Sequence, residues 1–144
     1  MKKILLFGAL LLALGVGVAY YMWNKPKKSA ESESVFAHRD ATQLYMEFTS
    51  DPTGSFQVYN QKNVEIRGVM DSFSKDSIGT KITLKTMATD GGIVTITLVP
   101  DENHSLPVIG DSVHVRGLCA GYLPDETGML GGEVQLNQGV IINK

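Results

Sequence analysis

Val64-Glu65-Ile66-Arg67-Gly68-Val69-Met70, VEIRGVM, is the stretch that decides the fold. Val64, Ile66, Gly68 and Met70 fall on one face, Glu65 and Arg67 on the other, which is the alternation of a half-buried β-strand. Gly68 in its middle predicts a bend or bulge, the device that lets a small sheet curl. The period of two persists downstream. Over residues 81–87, Ile82 and Leu84 point inward and Lys81, Thr83 and Lys85 outward. Over 93–99, rich in β-branched residues, Val94, Ile96 and Leu98 oppose Thr95 and Thr97. Over 111–123, Val113, Val115, Gly117 and Cys119 oppose His114 and Arg116. Over 134–142, Val134, Leu136, Val140 and Ile142 share a phase. Turn chemistry separates these strands: DSIGT at 76–80, Thr89-Asp90-Gly91-Gly92, a polar connection over 100–110 with two prolines, and a loop over 125–132.

Upstream of the strands the period changes to that of a helix. Ala41, Leu44, Tyr45 and Phe48 follow the i, i+3, i+4, i+7 spacing of one buried stripe, within residues 40–50. Asp40 with Gln43 three residues later makes a variant capping box, and Asp51-Pro52 with Gly54 ends the helix. Phe56 and Tyr59 predict a second short turn against the same core. One amphipathic helix followed by five short strands predicts a mostly β domain, a small closed barrel over residues 38–144.

Before it, residues 24–35 (NKPKKSAESESV) offer no apolar face and read as a solvated tether reaching residue 37. Residues 4–23 (ILLFGALLLALGVGVAYYMW) carry no charge and, as a helix, would span about 30 Å, the thickness of a bilayer core. Two readings stand: an uncleaved transmembrane signal anchor, or a leader cut after Ala19. The length of the run and its terminal Tyr20, Tyr21 and Trp23 favour the anchor. A Met-Lys-Lys start ahead of the apolar run resembles an export signal, placing the domain in the periplasm or otherwise outside the cytoplasm, with membrane lipid met through residues 4–23.

Charge divides sharply along the chain. Beyond Lys28 there are eight Lys and Arg against fifteen Asp and Glu, a balance of −7. Nucleic-acid binders need clustered cations to displace counterions, so this balance disfavours that partner. The single cysteine, Cys119, permits neither an internal disulfide nor a four-cysteine zinc site.

The helix ATQLYMEF and the segments VEIRGVM, VHVRGLCAGYL and EVQLNQGVII, taken together, resemble the tRNA_anti-like family, bacterial membrane-anchored OB-fold proteins similar to a tRNA anticodon-binding domain. The resemblance covers essentially the whole chain and includes Asn24-Lys25-Pro26 at the end of the apolar segment. It implies a five-stranded OB-fold-like barrel preceded by a short amphipathic helix and an N-terminal transmembrane helix. Members often carry a cysteine in the fourth strand and another in the last. Cys119 matches the first, while Gly139 stands in place of the second, so no family disulfide is expected. The resemblance carries no activity with it, since fold alone does not license function.

OB-folds bind along the outer face of their second and third strands, flanked by two loops. Here that face offers Lys81, Thr83, Lys85, Thr95 and Thr97, with residues 74–79 and 125–132 as rims. It has no aromatic residue for base stacking, which again disfavours nucleic acid. His38, His104 and His114 lack metal-ligand spacing and read as scattered surface residues. Cys119 alternates with Val113 and Val115 and reads as a small buried hydrophobe. No paired catalytic groups, metal site or cofactor motif is present, so no enzyme activity is expected. The expected function is an extracytoplasmic, membrane-anchored binding module for a protein, peptide or glycan. The alternative is a structural or assembly component of an envelope complex.

Overall fold

The alternating segments become strands that close on themselves. The computed structural model describes residues 14–24, 34–75, 79–100, 106–127 and 130–142. Residues 14–23 form helix α1, with exposed side chains. Residues 4–13 of the predicted span and 25–33 of the predicted tether lie outside the described residues. No helix among the described residues is long and apolar enough to cross a membrane. The domain runs β1 (Ala37–Asp40), α2 (Ala41–Ser50), α3 (Pro52–Tyr59), β2 (Asn63–Lys75), β3 (Thr80–Lys85), β4 (Ile93–Leu98), β5 (Ser112–Leu123) and β6 (Glu133–Ile141).

The sheet order is β1-β2-β3-β4-β6-β5, and pairing of β2 with β5 closes it. Strands β2 to β6 are the five-stranded barrel expected from the alternation. The sixth strand, β1, was not legible: it pairs parallel with β2 from Ala37 opposite Val64 to Asp40 opposite Arg67. Along that same stretch β5 holds the other edge of β2, antiparallel, from Asn63 opposite Leu118 to Val69 opposite Ser112.

The interior is the set of inward residues read from the period of two. Val64, Ile66, Met70, Ile82, Leu84, Val94, Ile96, Leu98, Val113, Val115, Cys119, Val134 and Leu136 are all buried. Two backbone details differ from expectation. The bulge in β2 falls between Met70 and Ser72, beyond Gly68. Gly68 instead provides clearance: a Cβ there would stand 3.0 Å from the Ala41 Cβ and 3.1 Å from Leu84 Cδ1, so its absence lets α2 close on the sheet. In β6, Gln138 adopts φ 54° and the registers against both β4 and β5 slip there. This extra residue reverses the phase of the strand. Gly139 and Ile141 then face the core, rather than Val140 and Ile142.

Helix α2 closes one end of the barrel. Asp40 ends β1 and caps α2 without a loop: its side chain accepts from Thr42 N at 2.9 Å, and the Gln43 side chain returns to the Asp40 amide, completing the predicted box. Ala41, Leu44, Tyr45 and Phe48 are buried as their spacing requires. The second turn proves to be an eight-residue helix, α3, capped by Asp51 with Pro52 at its first position. Tyr59 is buried there, whereas Phe56 remains 43% exposed.

Tyr45 ties this helix to two distant loops. Its hydroxyl donates to Asp90 Oδ2 at 2.6 Å and accepts from the Gly132 amide at 3.0 Å. Glycine at 92 and 132 makes room: a Cβ at Gly92 would come 1.9 Å from the Tyr45 ring, and one at Gly132 2.2 Å from the Tyr122 hydroxyl. Burial, then the bond to Asp90, pushes the Tyr45 phenol well above its ordinary pKa. The same bond, with help from the Gly92 amide, holds Asp90 below the usual carboxylate range.

Candidate binding face

The outer wall of β3 and β4 gathers the five residues singled out in the sequence. Pairing sets Lys81 beside Thr97, Thr83 beside Thr95 and Lys85 beside Ile93. Strand β6 then runs parallel to β4, setting Glu133 beside Ile93 and Gln135 beside Thr95. Lys85 is exposed, and Lys81, Thr83 and Thr97 are half-buried.

Thr95 departs from expectation. It alternates away from the core, yet is only 3% exposed. Its hydroxyl donates to Glu133 Oε1, which also accepts from Lys81 Nζ at 2.9 Å and from Gln135 Nε2 at 3.0 Å. Burial opposes ionisation of Glu133, but donation by Thr95, Lys81 and Gln135 outweighs it and keeps the carboxyl below its usual range. Lys81 and Thr95 are therefore committed to an internal network, leaving Thr83, Lys85 and Thr97 to meet a partner. The alternation of β6 already pointed Glu133 and Gln135 outward. Missing was the parallel pairing that sets them beside β4.

One rim is ordered by Asp125, whose carboxylate accepts from Thr127 N at 2.9 Å, Thr127 Oγ1 at 2.6 Å and Leu130 N at 2.8 Å. Residues 76–78 of the first rim and 128–129 of the second lie outside the described residues. Neither β3 nor β4 carries an aromatic residue, though Phe73 of β2, paired with Ile82, is 48% exposed at the wall's edge; four others are spent elsewhere. Phe48 lies 6.0 Å from Tyr59 and 6.1 Å from Tyr122, centroid to centroid, and Tyr45 lies 6.2 Å from Tyr122. They cement the helices to the barrel, so none of these four supplies a stacking platform on the β3–β4 wall.

Other candidates resolve as follows. His38 and His114, read as scattered, come to one cleft. His104 lies outside the described residues. Among the described residues, no three His, Cys, Asp or Glu side chains group as metal ligands. Cys119 is free and buried, and burial raises its thiol pKa to about 11. Between α2 and α3 lies a groove of about 600 Å³ that includes Met46, Val58 and Gly54. At its edge Arg39 Nε meets Glu47 Oε1 at 2.9 Å, and the Tyr59 hydroxyl donates to Glu47 Oε2 at 2.5 Å.

The family model described as tRNA_anti-like matches residues 1–130. A solved structure named "putative nucleic acid-binding lipoprotein", from Klebsiella pneumoniae subsp. pneumoniae, is 20% identical and has a TM-score of 0.55. The match covers 73% of this chain and 91% of that one. At that identity the likeness shows a shared fold. Part of a "putative aspartyl-tRNA synthetase" from Leishmania major Friedlin aligns at 13% identity and a TM-score of 0.45, over 90% of this chain and 26% of that one. Comparison with curated proteins gives no match.

Proposed function

The chain belongs to the tRNA_anti-like family, and we propose that it serves there as a binding module, not an enzyme. In this reading the N-terminal apolar segment holds the barrel at a membrane, outside the cytoplasm. The outer face of β3, β4 and β6 meets a protein or peptide. The carrying observation is the Lys81–Glu133–Thr95–Gln135 network. It fixes a polar wall in place and leaves the hydroxyls of Thr83 and Thr97 and the Lys85 ammonium at its surface. A preorganised polar surface loses little conformational entropy on docking. Its lack of aromatic residues disfavours base stacking, and the acidic balance disfavours phosphate backbones. The lipoprotein neighbour accords with a place beside a membrane.

A photo-crosslinking amino acid at Thr83 or Thr97 of the full-length chain, in the native cells, tests this. A discrete protein adduct is expected from these positions, absent from Lys75 and lost on Lys85→Glu. No adduct from either position, or a glycan-array signal in its place, refutes the protein reading. Oligonucleotide binding tighter than about 1 μM at physiological salt overturns the ranking of partners. The α2–α3 groove, where Met46 and Val58 are 55% and 49% exposed, favours a second reading as an assembly component of an envelope complex. Adducts from Met46 but not from Thr83 would select it.

A further inference from the structure

A different arc of the wall carries a charged cluster that the polar face does not use. Strand β1 sets His38 beside Glu65 and Asp40 beside Arg67. Strand β5, on the other edge of β2, sets Arg116 beside Glu65 and His114 beside Arg67. Two rows result, His38–Glu65–Arg116 and Asp40–Arg67–His114. A cleft of about 330 Å³ opens here, lined by His38, Asp40, Gln43, Glu65, Arg67 and His114 among others.

The charges in and around the cleft are matched with one exception. Arg116 Nη2 lies 3.2 Å from Glu65 Oε2, and Arg39 Nε lies 2.9 Å from Glu47 Oε1. Asp40 caps α2, its carboxylate facing the positive end of that helix. Arg67 has no carboxylate among the described residues. Its Nε donates to His114 Nε2. Arg67 is thus a whole positive charge, exposed, in a domain where acidic residues outnumber basic ones.

We propose that this cleft binds an oxyanion of the phosphate class, held by the outer nitrogens of Arg67 with His114 and His38 alongside. A guanidinium fork matches two oxygens of a tetrahedral anion, and charge-assisted bonds of this kind are stronger than neutral ones. The neighbouring carboxylates do not cancel the attraction, because Arg116 answers Glu65 and the start of α2 answers Asp40. The strands that carry the cluster are paired on both edges of β2, so its geometry is set before any ligand arrives. Free phosphate and the headgroup of a phospholipid both present this chemistry.

The test uses the full-length chain in a neutral maltoside detergent at fixed ionic strength. Inorganic phosphate and, separately, short-chain dihexanoylphosphatidylglycerol are titrated while the imidazole resonances of His38 and His114 are followed by NMR. Saturable shifts are expected, weakened at least about tenfold by Arg67→Gln, less by Arg67→Lys, and unchanged by Lys75→Gln. Circular dichroism confirms that each variant keeps its strands. Saturation by phosphate assigns the site to a free anion. Saturation by the phospholipid alone assigns it to a headgroup. Affinity that Arg67→Gln leaves untouched, or no saturation by either compound up to about 10 mM, overturns the proposal.

Discussion

Replacing Tyr45 with Phe removes one oxygen and leaves the ring in place. That oxygen joins α2 to the β3–β4 turn through Asp90 and to the loop before β6 through Gly132. Asp90 sits at the surface, where water takes the place of the phenol, so its loss adds nothing to the count. The Gly132 amide is different. It is buried, and Tyr45 Oη is its acceptor. Stranding a buried donor costs about 1–3 kcal/mol. Water cannot enter readily, because the Tyr45 and Tyr122 rings pack closely over Gly92 and Gly132. We therefore expect Tyr45→Phe to lower unfolding free energy by about 2 kcal/mol in urea titrations followed by far-ultraviolet circular dichroism. Tyr122→Phe is the control. Its hydroxyl has no protein partner among the described residues, so the expected loss is within about 0.5 kcal/mol. Equal losses in the two variants would refute the view that the Gly132 amide depends on Tyr45.

Three further outcomes follow from the same structure. Glu65 and Glu133 are both held below the usual carboxylate range; burial opposes this at each, but Arg116 and His38 outweigh it at Glu65, and Thr95, Lys81 and Gln135 at Glu133. Their stabilisation is complete above the unfolded value of about 4 and is lost as pH falls through the folded values. Urea midpoints should thus stay level from neutral pH to about 5 and drop below it, less steeply in Glu133→Gln; an unchanged slope in that variant removes Glu133 from the account. Cys119, with its thiol pushed up to about 11, should resist iodoacetamide at neutral pH until urea unfolds the barrel, and labelling of the native chain contradicts its burial. In Gly139→Ala the new Cβ would lie 2.3 Å from Ile96 Cγ2 inside the core, for an expected loss of about 1–3 kcal/mol on unfolding, and a neutral result would show that β6 can shift outward.

Much of the barrel was legible because side-chain alternation is a local property. Val64, Ile66 and Met70, then Ile82 and Leu84, then Val94, Ile96 and Leu98, declare their inward face within a few residues of chain. The cap at Asp40 was equally local. What escaped depends on distant pairing or on backbone torsion. Ala37–Asp40 has three charged or polar residues to one small one and becomes a strand only because β2 is there to receive it. The phase reversal in β6 hangs on a positive φ at Gln138, a residue type that does not advertise it. Thr95 is correctly outward, but nothing near it in sequence reveals that Glu133 will cover it. The charged cleft was hidden for the same reason: its rows draw on β1, β2 and β5, and within a row the partners closest in sequence, His38 with Glu65 and Asp40 with Arg67, are 27 residues apart.

The seam that closes the barrel joins Ile66 to Val115, and β4 waits for Leu136 before its second edge is filled. A ribosome that has released the chain only as far as Gly110 has therefore exposed a four-stranded sheet, β1 to β4, with apolar residues and two ragged borders. Such a fragment invites another copy to dock where β5 and β6 belong. Synthesis of residues 111–141 is thus the interval in which this protein is most prone to clump, and stop codons falling there should yield inclusion bodies rather than a smaller soluble product.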